Sequence, residues 1–542
     1  SAPRNFEVEL ASSPPWVFAC TPISISTRNA IVIFDVHRMA LHLRFKGLRE
    51  RRGGRIRIHY HAQPANHGLA LAGEKSGTAS SPITFKGDSW PGLEGTKAIL
   101  EGSEPLRGWQ PCTVNVCSSA PNLSSLYYIT LTPNTNPFGL SIFENTEFLY
   151  VAQSPNQPDQ FYFDDIDYFN LIPTNGLMTT TSIKDPGVLN QSNQDYWNDA
   201  YALVWVLPNI VQQRKIESFD PVNDTITFGA SGNPAGYERY ALANSLNVLD
   251  IPGEFVLKSN GVLVLWPRNV ASLGSGIVQA VRKFGINLDA KSNITIEGFQ
   301  IQHYSSDQLT EGVGIGTVTK AWVPLSNVKV LRNKIWYNNH ATGGYGGIYL
   351  SACDNCLVED NQVWYGMRQS GIFVTGSASR LASNPIVRNN EVRKSGKTSI
   401  MFFYVNNGEI VDNTVLDSSG SHANGITVYL YSDGVLIKGN KVINSNFALT
   451  FQDSQNINVI NNVFIASPSS PRFSYSAIAI WSYTVRNVKI FNNTLLSDYQ
   501  ATLNIGGADN IEIKNNIISG MCDYQGTGKI ISNNLYTKFC WN

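Results

Sequence analysis

Charge is scarce in this chain. Only 15% of its 542 residues are Asp, Glu, Lys or Arg, and Lys+Arg and Asp+Glu both number 41. No global field exists to draw in nucleic acid or an anionic membrane surface, so nucleic acid is not an expected partner. Long apolar runs are missing too. A membrane-spanning helix needs about 18 or more consecutive apolar residues, and the most apolar stretch, YALVWVL from Tyr201, stops at Pro208. Cysteine is sparse, at seven residues. Cys112 with Cys117, and Cys522 with Cys540, form local disulfides if the compartment is oxidising. Cys353 and Cys356 make a lone C-x-x-C without a second ligand pair, which reads as structural cysteine rather than zinc. Cys20 is left as the odd thiol. Aromatic residues, at 11%, are abundant against this background and suit either flat rings offered to sugars or core packing.

What is present is a repeat. A nine-residue phrase with alternating apolar residues and Asn at its seventh position occurs eight times, as in NVKVLRNKI from Asn327 and NIEIKNNII from Asn510. The seventh-position residues are Asn333, Asn361, Asn390, Asn413, Asn440, Asn462, Asn493 and Asn516, separated by 28, 29, 23, 27, 22, 31 and 23 residues. A period of this size means a solenoid. Alternation through Val and Ile means strands, and Asn at a fixed corner is expected to tolerate the left-handed backbone region. Coils stacked at roughly 4.8 Å would bring these side chains together as a hydrogen-bonded ladder. Degenerate copies at Asn293 and Gly528 extend the array to about ten coils. The leucine framework and helical half of a leucine-rich repeat are absent.

This pattern resembles the right-handed parallel β-helix proteins of the pectate-lyase-like superfamily, over roughly residues 76–542. The resemblance implies an all-β, right-handed parallel β-helix of about ten or more coils. It implies polysaccharide chemistry less sharply, because one fold carries many reactions. Residues 1–75 read as a basic segment without coil alternation, residues 76–151 as first coils, 152–270 as a large insertion, and 271–542 as the main β-helix. Within the insertion, YALANSLNVLDIPGEFVLKSNGVLVLWPRN from Tyr240 resembles a segment of carbohydrate-active β-helix proteins and carries a hairpin signal around Ser259-Asn260-Gly261. Glu254 beside its turn reads as a solvated turn carboxylate. Asp164, Asp165 and Asp167 cluster in DDIDYF, but lack the Gly and Glu spacing of a calcium loop and read as surface acidity.

Between successive phrases lies a further strand, from GGIYLS at Gly346 to ATLNIG at Ala501. In the resembling family a comparable strand lines the substrate groove. Placing Ile and Leu inward turns Tyr349, Phe373, Met401, Thr427, Thr450, Ala479 and Asn504 outward, and two residues on Ser351, Thr375, Phe403, Tyr429, Gln452, Trp481 and Gly506. These columns offer rings but no carboxylate, whereas glycoside hydrolysis ordinarily needs two acids. Asp433 and Asp453, at turns after the strands, are the alternative catalytic pair. The turns before the strands carry Arg368, Lys397 and His422 on three consecutive coils, with Tyr345 and His340 one coil earlier. Such groups suit uronate neutralisation and proton transfer in β-elimination.

The reading is therefore a carbohydrate-active β-helix cleaving a polysaccharide. Lys397 and His422 move the proton, Arg368 anchors a carboxylate, and Tyr345, Phe403, Tyr429, Trp481 and His340 bind sugar. The rivals are a glycoside hydrolase on the same fold, and a non-enzymatic structural or glycan-binding protein whose rings serve self-assembly. No metal site is expected, and calcium is the only cofactor that the resemblance admits. The chain starts at Ser1 without Met, as secreted proteins do after signal removal. An extracellular location is expected, with glycosylation at Asn122, Asn190, Asn223, Asn293 and Asn492 in a eukaryotic secretory pathway.

Overall fold

Each apolar alternation gives a strand one face that must leave water, and stacking one coil on the next is how that face is buried. A computed structural model of the protein describes residues 76–542 except 89–96, 119, 132–135, 163–164, 208–209, 307–311, 318–321, 339–345, 368–369, 419, 421–422, 467–475, 483, 526 and 538–542. Of residues 1–75 it describes the backbone of five short strands.

Most coils contribute three strands, such as Lys329–Leu331, Lys334–Trp336 and Ile348–Ser351, followed by Leu357–Glu359, Gln362–Gly366 and Ile372–Thr375; in the last coils the second and third run together, as in Thr494–Gly506. The first strands form a 13-stranded sheet, and the second and third together form a 20-stranded one. All neighbours along the stack are parallel, for example Ile348↔Ile372↔Ile400↔Ile426↔Leu449. Those five side chains are fully buried inside the coil, each contributing about 1.5–3 kcal/mol of apolar burial. Helices of the α type are absent among the described residues, and no helix there is long and apolar enough to cross a membrane.

The asparagine ladder is present. Asn413 Nδ2 donates to the carbonyls of Val387 and Val411 and to Asn440 Oδ1, at 2.9–3.1 Å. Its own Oδ1 accepts the backbone and side-chain N–H of Asn390, both at 3.0 Å. The pattern repeats from Asn333 to Asn516, ends on Asn534, and starts on the Phe299 amide. One expectation is corrected. The left-handed residues are the first and sixth of each phrase, such as Asn384 and Asn389 or Asn407 and Asp412, and not the seventh. The sixth residue makes the bend, which leaves the seventh free to aim its amide into the stack. The first-position asparagines form a second, outer ladder, with Asn487 donating to Asn456 at 2.9 Å and Asn510 to Asn487 at 2.7 Å.

Parallel stacking also reaches into residues 1–75, where the sequence showed no coil. The backbone of Ile56–His61 pairs with Ala30–Asp35 on one side and with Ile83–Lys86 on the other.

The aperiodic body is larger than the pattern break implied. Ile83–Lys86 and Ala98–Glu101 stack directly against Ile294–Glu297 and Phe299–Gln302. Residues 103–151, read as first coils, instead join antiparallel sheets. Ser103–Pro105 pairs with Ile277–Ala280, and Ile142–Glu144 with Glu147–Val151. The anticipated hairpin is there as Glu254–Leu257 against Val262–Leu265. Two apolar clusters, one around Trp197, Tyr240 and Phe228 and the other around Trp205, Phe255 and Phe138, give this body its own core.

Two local readings inside it change. Glu254 is fully buried rather than solvated. It accepts from Gln160 Nε2 at 2.9 Å, and burial, then the charge of Asp250, pushes its carboxyl up to about 8. Asp165 is buried and caps the short turn Ile166–Tyr168 by accepting the Asp167 amide. Asp164 lies outside the described residues, among which no cluster of potential metal ligands occurs. Cys112 pairs with Cys117, and Cys353 with Cys356. Cys522 is disulfide-bonded, while Cys540 and Cys20 lie outside the described residues.

Candidate functional site

The third strand of each coil alternates Ile, Leu and Val inward with polar and aromatic residues outward, and its register is the expected one. Tyr349, Phe373, Met401, Thr427, Thr450, Ala479 and Asn504 fall in one column. Outward does not mean exposed. Tyr349 and Phe373 are buried with Val313 in a small cluster on this face, and Thr427, Thr450 and Ala479 are buried as well. Thr427 and Thr450 share a hydrogen bond of 2.8 Å, and Asn424 donates to Thr427 at 3.3 Å, a polar floor that the sequence did not reveal.

The column two residues further on carries the accessible rings. Phe403 and Tyr429 stack at 5.6 Å between centroids with planes 7° apart. Trp481 is 42% exposed, meets Tyr429 at 6.3 Å and stands edge-on to Phe447 at 4.8 Å. Phe373 joins the row from the buried side at 5.1 Å from Phe403. Burial raises the Tyr429 phenol above its ordinary value, so it stays a neutral donor and acceptor. The structure thus brings Phe403, Tyr429 and Trp481 together, with Phe447 as a member that sequence reasoning missed. Its signal was an aromatic residue at the start of the strand FALTF.

Lys397 is half-buried on the turn leading into Ile400–Phe403, the strand that bears Phe403. Arg368, His422, Tyr345 and His340 lie outside the described residues. On the opposite edge stand the turn aspartates, both tied to turn donors. Asp433 accepts from Gln455 at 2.8 Å and Asn456 at 2.6 Å. Asp453 accepts from Ser482 at 2.6 Å and from Thr484, and these bonds hold its carboxyl below the usual range. Asp354 is likewise bound by Arg380 and by the Ser383 amide.

Comparison with known proteins agrees with this architecture. The family described as right handed beta helix region matches residues 313–484. No curated protein matches the chain. A solved structure described as a glycoside hydrolase is similar with a TM-score of 0.50 and 12% identity, over 90% of this chain and 89% of that one. XylC in complex with xylose reaches 0.38 and 14%, over 88% and 65%. DFA-IIIase from Arthrobacter chlorophenolicus A6, without its lid and in complex with GF2, reaches 0.34 and 15%, over 48% and 66%. At such identities the likeness is one of fold. Three-stranded coils, an internal asparagine ladder and parallel pairing throughout the stack make this chain a right-handed parallel β-helix protein.

Proposed function

We propose that the protein binds a polysaccharide across the third-strand face and cleaves it by β-elimination. The carrying observation is the run of accessible rings, Phe403, Tyr429 and Trp481, on the outer side of a sheet whose strands repeat every coil. Phe403 and Tyr429 on adjacent coils, and Trp481 two coils beyond Tyr429, offer apolar ring surface along which pyranose units pack. Lys397 stands at the edge of that face on the coil of Phe403. In this reading it works with His422 in proton transfer, while Arg368 neutralises a uronate carboxylate. Elimination is favoured over hydrolysis because Asp433 and Asp453 are held by turn donors, which suits them to shape and not to acid-base exchange. An extracellular setting belongs to the same reading, since the Cys112–Cys117 and Cys353–Cys356 pairs persist in oxidising compartments.

The test is to incubate the protein with acidic and neutral polysaccharides and follow ultraviolet absorbance and reducing ends together. Absorbance rising in step with reducing ends is expected on an acidic polymer. Reducing ends without absorbance would assign hydrolysis instead, and neither signal on any polymer that the protein binds would leave a glycan-binding structural protein.

A further inference from the structure

A second aromatic surface lies on the second strands. Trp336 and Trp364 are register partners on neighbouring coils, each beside an inward residue, Ile335 and Val363 respectively. Both indoles are half-buried on the outer face, with centroids 6.3 Å apart. The Lys334 ammonium sits 3.3 Å over the Trp336 ring and 5.4 Å from that of Trp364. A row of amides adjoins them. Trp336 Nε1 and Gln300 Nε2 both donate to Gln302 Oε1, at 2.8 and 2.7 Å.

The residues that follow the two indoles, Tyr337 and Tyr365, stack at 4.5 Å with planes 4° apart and turn against the antiparallel body. There Tyr337 meets Phe148 at 5.7 Å and Tyr365 meets Phe161 at 6.3 Å. The indoles therefore floor an inside corner whose wall is the inserted body, and ligand sites concentrate at junctions of this kind. The corner's reachable polar groups are the Gln300 and Gln302 amides, since the indole N–H of Trp364 is buried below the surface.

We propose that this corner is a second carbohydrate-binding site, apart from the third-strand face. The indoles of Trp336 and Trp364 take the apolar faces of two sugar rings, while the Gln300 and Gln302 amides beside them take hydroxyls. The choice of a glycan as ligand rests on the function proposed above, whereas the place does not. The site holds a length of polymer away from the cleavage face and so raises the local concentration of chain ends and loops there.

The full-length protein is run through native gels containing xylan, mixed-linkage glucan, polygalacturonate or alginate, alongside Trp336→Ala/Trp364→Ala, Trp336→Phe/Trp364→Phe and Trp481→Ala. On the polymer that retards the wild type, the double alanine variant is expected to lose about tenfold in affinity. The double phenylalanine variant should recover most of it, and Trp481→Ala should leave part of the retardation. Unchanged affinity in the double alanine variant overturns the second site, whatever Trp481→Ala does. A loss that phenylalanine does not restore overturns it too, by assigning the indoles to packing. Abolition by Trp481→Ala with the double variant unaffected leaves the proposed function standing alone. Retardation of the wild type by none of the four polymers counts against both.

Discussion

The coils and the inserted body satisfy their buried polar groups in opposite ways. In the coils one device is written eight times, and each ladder asparagine repeats the bonds of the one below. In the insertion each solution is made once. Arg239 donates to the Ile166 and Phe169 carbonyls, the Tyr240 hydroxyl reaches Asp185 at 2.8 Å, and Glu144 accepts the amides of Arg268 and Asn269 at 2.8 Å. Repetition makes a fold readable and tolerant along its axis, while single-use contacts make it specific and unreadable. A reaction centre needs groups that break the repeat, which is the ground on which the proposed function looks to Lys397 and its neighbouring turns.

The comparison predicts its largest effect where a non-repeating group sits on the repeating frame. Lys397→Ala should lower turnover by about 10²–10⁴-fold with the melting temperature unchanged, measured on the polymer that gives product. If turnover survives intact, the basic edge is not the centre and Asp433 and Asp453 are next.

Next is the buried acid of the insertion. Glu254 titrates at about 8 in the folded protein, against about 4.3 in an unfolded chain. Between those values the folded state keeps a proton that the unfolded state has lost. Stability therefore falls as pH rises through this window and levels off above about 8. Glu254→Gln should remove that slope, a difference on the order of 5 kcal/mol at the alkaline end, read from chemical denaturation at several pH values. Parallel slopes for the two proteins would show that Glu254 ionises normally.

Breaking one rung should cost somewhat less. Asn413→Ala takes the acceptor from the Asn390 backbone amide and a donor from the Val387 carbonyl, for a loss of about 1–3 kcal/mol. Hydrogen exchange should quicken in the coils on either side, at Asn390 and Asn440. The matching change in the insertion, Tyr240→Phe, should cost a similar amount while leaving the ladder amides protected. Equal spreading in both regions would dissolve the distinction.

The smallest effect belongs to the seam between the two regions, where Lys394 Nζ pairs with Asp159 Oδ2 at 2.6 Å. Asp159 is 45% exposed, so Asp159→Ala should cost only about 0.2–1 kcal/mol, and salt should erase the difference.

Legibility followed the same divide. The strand alternation around Val392, Val415 and Val442 carried the coil order and the outward columns through to the observed register. The corner geometry was displaced by one residue, because an asparagine that signals a left-handed turn and one that bonds along a stack look alike in sequence. Tyr349 and Phe373 showed why facing outward is not exposure: alternation tells which side a residue takes, and nothing about what covers that side. Residues 103–151 resembled coils because short apolar strands of antiparallel and parallel sheets share a period of two. Trp336 and Trp364 did leave a trace, a tryptophan three residues past the ladder asparagine on two successive copies.

The two ends of the insertion touch. The Gly102 carbonyl accepts the amides of Val281 and Arg282 at 3.0 and 3.1 Å, so the residues before and after the inserted body are already neighbours. A side chain on Gly102 would meet the His303 carbonyl at 2.4 Å, which keeps this crossing point as bare backbone. The coil below and the coil above are in register without any help from the residues in between. The body from Ser103 to Ala280 is in effect a cassette plugged into a single turn of a spring. A lineage could exchange, trim or delete it while the spring went on winding, and the marks left on the coils would be Tyr337 and Tyr365 bared to water and Lys394 without Asp159.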